Sequence, residues 1–229
     1  MIAAAGPPWH NGQRRRGERP KGVDVEASWS RSGHDGWVYG YGLEVVVTAP
    51  RRGLCWPLLG SVDPAHLRES RTLPAKLPRL PAATRYVLAD TGYDSNDLGE
   101  AIEYDAAGRP TGRRLVVPQR RRHNRYGGRT RSWRETYRRR TRRRHREARR
   151  RSYEGRFGRR LDKRRGRTVE PFFGRFKEQF ELVDHVRHRG LGNTRTQLLA
   201  ALLLYQLLLV YNRLKGREDA EVKWILDLL

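Results

Sequence analysis

Between Arg120 and Arg160 the chain carries 20 arginines against three acidic residues, Glu135, Glu147 and Glu154. A run so charged cannot bury enough apolar surface to make a core of its own, so a core must come from the sequence on either side. Tyr126, Trp133, Tyr137, Tyr153 and Phe157 are interleaved with the arginines. Guanidinium forks bind phosphate bidentately, and aromatic or guanidinium planes stack on exposed bases. A solvated charged face would explain the polarity but not the one-sided sign. The run points to a nucleic acid, and no groove-reading motif supports sequence-specific readout.

The whole chain agrees. Its net charge is +24, from 49 Lys+Arg against 25 Asp+Glu over 229 residues. Such an excess favours a polyanion, because each phosphate contact releases a counterion and steers association. An acidic membrane surface would attract the same charge, but no amphipathic anchor accompanies it, so no membrane partner is expected. The longest apolar stretch, Leu198 to Tyr211, is interrupted by Gln206 and reads as a buried helix rather than a span. The opening M-I-A-A-A-G-P-P-W-H has no basic region ahead of its apolar residues and does not read as a signal peptide. A single cysteine, Cys55, precludes an intramolecular disulfide and fits a reducing cytoplasm. It reads as a small buried hydrophobe.

Outside the basic run the pattern is α/β. Residues 1–36 are rich in Gly, Pro and Arg without a sustained period and predict loop or extended chain. Gly36 to Pro50 is β-branched and aromatic and predicts a strand, with Gly53 to Val62 as its antiparallel neighbour. Asp63-Pro64 predicts a helix start, with Asp63 as cap. Ser95 to Ala106 predicts a helix capped by Ser95, and Arg114 to Val117 a short strand. After the basic run Thr168 predicts a new cap, Pro171 falls in the first turn, and Val169, Phe172, Phe173, Phe176 and Phe180 recur at helical spacing as core. The order predicts a mixed sheet flanked by helices.

Tyr86 to Asp94 reads Y-V-L-A-D-T-G-Y-D. Four apolar residues suit a buried central strand, and Asp90 with Thr91-Gly92 ends it in a turn. A carboxylate at the carboxyl end of such a strand stands where open α/β sheets place their ligands. The same aspartate also suits an Asx-turn, a purely local role. Residues around Asp90 alone do not decide between the two.

A second stretch, V-E-P-F-F-G-R-F-K-E-Q-F from Val169, is followed by an apolar helix. With L-A-D-T-G-Y-D-S before it, this order resembles the DDE transposases of bacterial insertion sequences, from Gly36 through Arg213. The resemblance implies a ribonuclease H-like core in which three acids hold two Mg²⁺ or Mn²⁺ ions for DNA cleavage and strand transfer. By position, Asp90 matches the second acid and Glu170 the third, as catalytic and metal-binding residues. Lys177, seven residues after Glu170, matches a lysine that contacts DNA phosphate. The family's upstream tyrosine and arginine fall by spacing on Lys163 and Gly166, with Arg165 and Arg167 adjoining.

The resemblance leaves the first acid without a counterpart, since no aspartate precedes Gly6. It implies an amino-terminally shortened transposase that binds DNA while cleavage is impaired. Asp24 and Asp35 are the nearest stand-ins, both in Gly/Ser-rich loop surroundings without the rigid support that ligands need. Implied DNA contacts are Lys177, Arg165, Arg167, Arg120, Arg121, Arg122, Arg138, Arg139, Arg140, Arg142, Arg143 and Arg144, and the implied assembly is a homodimer on paired DNA ends. The division expected is a loop-rich segment at 1–36, the first part of the core at 37–118, an Arg-rich DNA-contacting insertion at 119–167, core helices at 168–215 and a tail at 216–229. The alternative is a basic DNA-binding remnant without catalysis. An RNA- or ribosome-associated protein would leave the Asp90 and Glu170 motifs without a purpose, and His185 and His188 lack the cysteine partners of a zinc site.

Overall fold

The structure is a computed structural model and describes all residues except 33–35, 68, 119–132, 183–184, 218 and 229. In chain order its elements are β1 (Ile2–Ala3), α1 (Asn11–Arg15), β2 (Ser28–Ser32), β3 (Gly36–Val47), β4 (Pro57–Pro64), α2 (Glu69–Thr72), β5 (Tyr86–Leu88), α3 (Asn96–Glu103), β6 (Arg114–Val116), α4 (Trp133–Glu154), α5 (Arg156–Gln179), α6 (Leu191–Leu214) and α7 (Lys223–Leu226). Short 3-10 turns cover Leu73–Arg79 and Thr91–Tyr93. The fold is mixed α/β. Two compact units divide the chain: Met1–Arg68 with Arg167–Leu229, and Glu69–Gly166.

In the first unit, β3 organises an antiparallel sheet. It pairs with β1 (Ile2 opposite Tyr41), with β2 (Ser28 opposite Gly40) and with β4 (Tyr41 opposite Pro64), with a register shift between Val46 and Val47. Gly40 is needed where β1 crosses, because a Cβ there would collide with the Ile2 carbonyl oxygen. The core against this sheet contains Ile2, Tyr39, Tyr41, Val62, Phe172, Phe176, Leu198, Leu202, Tyr205 and Leu209. The phenylalanines of α5 thus pack as the spacing predicts, with Phe172 and Phe176, and Phe180 just beyond the helix, each against the Tyr205 ring. Gln206, the interruption in the apolar stretch, donates to the Pro57 carbonyl at 2.6 Å and ties α6 to β4.

Several local expectations change. Residues 1–36 are not merely loop: they supply β1, α1 and β2, and β2 forms because Trp29 and its neighbours pair with β3 rather than because of a period of their own. Asp63-Pro64 closes β4 instead of opening a helix, since the pairing with β3 continues through Pro64. Thr168 is no cap. α5 already runs from Arg156, so Pro171 lies inside it.

In the second unit β5 and β6 pair in parallel, Tyr86 opposite Arg114 and Leu88 opposite Val116. Among the described residues β5 pairs with β6 alone, and Tyr86 is exposed with its ring 5.3 Å from Phe157. The strand is half-buried, not the buried central strand its composition predicts. Leu98 and Ile102 of α3, Leu115 to Val117, Leu73 and Leu77 are buried in this unit. Much of the arginine run is helical as α4, and it is held by polar contacts rather than by a core of its own. Arg149, itself buried, lies 3.4 Å from Glu103 and donates to Asn96 at 2.8 Å. Gly99 makes room for it: a Cβ there would come within 2.6 Å of the guanidinium.

Candidate functional site

Asp90 follows directly on β5. Ala89 is still tied to the adjacent strand, its N–H donating to the Val116 carbonyl at 3.1 Å. The chain then turns, and the Asp90 carboxylate accepts the Gly92 N–H at 2.8 Å as cap of the Thr91–Tyr93 turn. So the local Asx role is real. It also fixes an exposed carboxylate at the end of a strand. Four residues on, Asp94 accepts from Arg146 of α4 at 2.7 Å, with only 6% of its side chain exposed. Sequence reasoning passed over this aspartate, although it sits in the same motif.

Glu170 is exposed on α5, and Lys177 lies two turns further on the same helix face. The Lys177 ammonium donates to the Met1 carbonyl at 3.0 Å, which sets it beside the start of β1. Arg165 is half-buried, 3.3 Å from Asp162, and Asp162 also accepts the Tyr153 hydroxyl at 3.0 Å. Burial first and the Asp162 hydrogen bond second push the Tyr153 hydroxyl above its ordinary range. Arg167 and Arg144 are exposed. Arg138, Arg139, Arg140, Arg142 and Arg143 fall within α4. Arg120, Arg121, Arg122 and Asp35 lie outside the described residues.

Asp24 differs most from its expected surroundings. It is 3% exposed and firmly held. One carboxylate oxygen accepts the Tyr41 hydroxyl at 2.7 Å and the Gly190 N–H at 2.9 Å, while the other accepts the Glu26 N–H. Its backbone carbonyl accepts the Tyr39 hydroxyl at 2.6 Å. Asp24 therefore joins β3 to the start of α6. A carboxylate engaged in this way is a structural clamp, and the alternating tyrosines of β3 were the available signal for it.

The family model for the transposase DDE domain matches residues 10–207. The chain belongs to that family. Neither a curated protein nor a solved structure matches it. The DDE family is one of transposases, so transposition and a DNA partner follow at the level of the family.

Divalent ions are usual for DDE transposases, and a two-ion site needs several converging hard oxygen ligands. Among the described residues no group of three or more His, Cys, Asp or Glu is arranged to hold a metal ion. Asp90 belongs to one compact unit and Glu170 to the other. Asp24, the nearest described stand-in, spends both oxygens on protein donors. His185 and His188 are both exposed, and they too belong to no such group.

One further feature lay outside the sequence reading. His10, Asn11, Trp29 and Trp37 line a cavity of about 390 Å³. The His10 and Trp29 rings lie 5.3 Å apart, and Trp29 donates through its indole N–H to the Trp9 carbonyl.

Proposed function

We propose that the chain acts on DNA as the catalytic domain of an insertion-sequence transposase, with a ribonuclease H-like core interrupted by an Arg-rich insertion over 119–167. Asp90 and Glu170 serve as two of the three acids of the DDE set. The observation that carries this reading is that both acids are exposed inside the matched region, Asp90 on a rigid cap after β5 and Glu170 on α5 two turns from Lys177. The antiparallel β1-β3-β4 pairing and the parallel β5-β6 pair are consistent with such a core.

On this reading the chain's own residues bind and orient the substrate. Exposed Arg144 and Arg167 and the other arginines of the run neutralise phosphates, and Lys177 contributes a point charge beside Glu170. Arg146 and Arg149 keep α4 attached through Asp94 and Glu103, so they are not available for that task. The family's first acid has no counterpart here, so cleavage is weak or lost while DNA binding persists. Losing one carboxylate removes both charge and geometry from the set.

The test is nicking of supercoiled DNA in Mg²⁺ or Mn²⁺, with a parallel binding titration, for this chain and its Asp90→Ala and Glu170→Ala variants. Residual nicking abolished by either substitution, with DNA binding unchanged, supports the reading. Nicking that survives both substitutions overturns the catalytic assignment. No nicking together with equal binding by all three forms favours the second reading, a DNA-binding protein without catalysis.

A further inference from the structure

The cavity of about 390 Å³ beside α1 is walled by rings and lies within the size range of small-ligand pockets. Two of its walls are held in place from behind. Trp29 packs against Tyr39 with ring centroids 5.4 Å apart, and the Tyr39 hydroxyl is fixed on the Asp24 carbonyl. The Trp29 indole donates to the Trp9 carbonyl, and the Trp9 indole in turn donates to the Glu18 carbonyl at 2.8 Å. The His10 backbone N–H donates to the Gln13 side chain at 3.1 Å. Trp37, the third ring, is 68% exposed, so its face is available to a ligand.

We propose that this cavity takes one unpaired nucleobase of a DNA strand. Three observations select that occupant. Flat aromatic walls suit a flat aromatic ring, and every base has such a face. The Asn11 side chain offers both a donor and an acceptor, the two kinds of group found on base edges. Positive charge stands beside the cavity for the phosphates that flank the base. Arg31 is exposed and lies opposite Trp37 in the sheet, two residues along β2 from Trp29 and so on the same face. Arg14 and Arg15 follow Asn11 in α1, and both are exposed. The acids of this stretch are engaged elsewhere: Glu18 pairs with Arg16, Glu26 accepts the Leu191 N–H, and Asp24 is the buried clamp.

An aromatic cage also suits a methylated ammonium ion, which is the competing occupant. The guanidinium groups repel a cation and attract a nucleotide, and that decides between the two.

The inference rests on the reading that the chain acts on DNA, and goes beyond it in requiring a base out of its pair. Fluorescence anisotropy with labelled duplexes separates the two. One duplex is fully paired, a second carries one unpaired thymine, and a third carries an abasic residue in its place, which keeps the bend but lacks the ring. The whole chain is expected to bind the thymine duplex on the order of 10-fold more tightly than either of the others. Trp37→Ala should bring that ratio to about 1, whereas Trp37→Tyr, which still offers a ring, should retain most of it. Equal affinity for all three duplexes overturns the proposal and leaves DNA binding standing. So does a preference for the thymine duplex that survives in Trp37→Ala, or one shared by the abasic duplex, which bending alone would produce. Tetramethylammonium chloride that displaces the thymine duplex, where sodium chloride at equal concentration does not, would give the cavity to a cation and overturn the proposal. Failure to bind any duplex sinks the reading on DNA as well.

Discussion

Arg146 reaches Asp94 at 2.7 Å, which makes the last aspartate of the D-T-G-Y-D motif an anchor for the arginine-rich helix. The pair is largely shielded, with side-chain exposures of 18% and 6%. Removing the guanidinium would leave a nearly buried carboxylate without this partner. Arg146→Ala is therefore expected to destabilise the fold by about 2–3 kcal/mol. Chemical denaturation followed by circular dichroism measures this. A loss below about 0.5 kcal/mol, the size of an exposed pair, would mean that the helix is anchored elsewhere.

Asp24→Ala tests the clamp at the other end of the chain. It would strand the Tyr41 hydroxyl and the Gly190 N–H in the core. A cost of about 2–4 kcal/mol is expected, against about 1 kcal/mol for Tyr41→Phe, which removes one donor only. Thermal melts of the two variants decide between them, and an equal cost would argue that Tyr41 alone carries the contact.

Alkaline pH should weaken the fold. Burial, followed by the bond to Asp24, raises the Tyr41 hydroxyl well above its ordinary value. Burial likewise raises Tyr39, and pushes Tyr205 up to about 12. A raised folded value means that the neutral phenol is the form the fold favours. The stabilisation is thus complete below about pH 10, the unfolded value, and is lost as pH rises through the folded values. Urea midpoints measured between pH 8 and 11 should fall at the upper end, and less steeply in Tyr41→Phe.

Asp90→Asn separates chemistry from capping. An amide oxygen can still accept the Gly92 N–H, so stability should stay within about 0.5 kcal/mol of wild type, whereas Asp90→Ala should lose about 1 kcal/mol with the cap. Both should bind DNA like the wild type, and both should abolish whatever nicking the chain retains. Activity that survives in Asp90→Asn would remove the carboxylate from the chemistry.

What could be read in advance divides along physical lines. Strand β3 and helix α6 were legible because their patterns are long and apolar, and the order of the Asp90 and Glu170 motifs was specific enough for the family. Helix α4 was not, since Arg146 and Arg149 are held by partners such as Asp94, Asn96 and Glu103, about 50 residues away, which no local period reveals. Asp24 looked like a loop residue because its donors, Tyr41 and Gly190, come from β3 and the head of α6. The start of α5 was missed for another reason. Pro171 resembles a helix opening, and only continuous backbone bonding from Arg156 makes it an interior residue.

That interior proline has a temporal consequence. Pro171 has no N–H, so the Arg167 carbonyl one turn earlier receives no fourth-residue hydrogen bond. Water can take that place, and the turn from 167 to 171 becomes the point where α5 opens most readily. Glu170 rides on it. Amide hydrogens in this turn should exchange sooner than those around buried Phe176, so the carboxylate samples more orientations than its place on a long helix suggests.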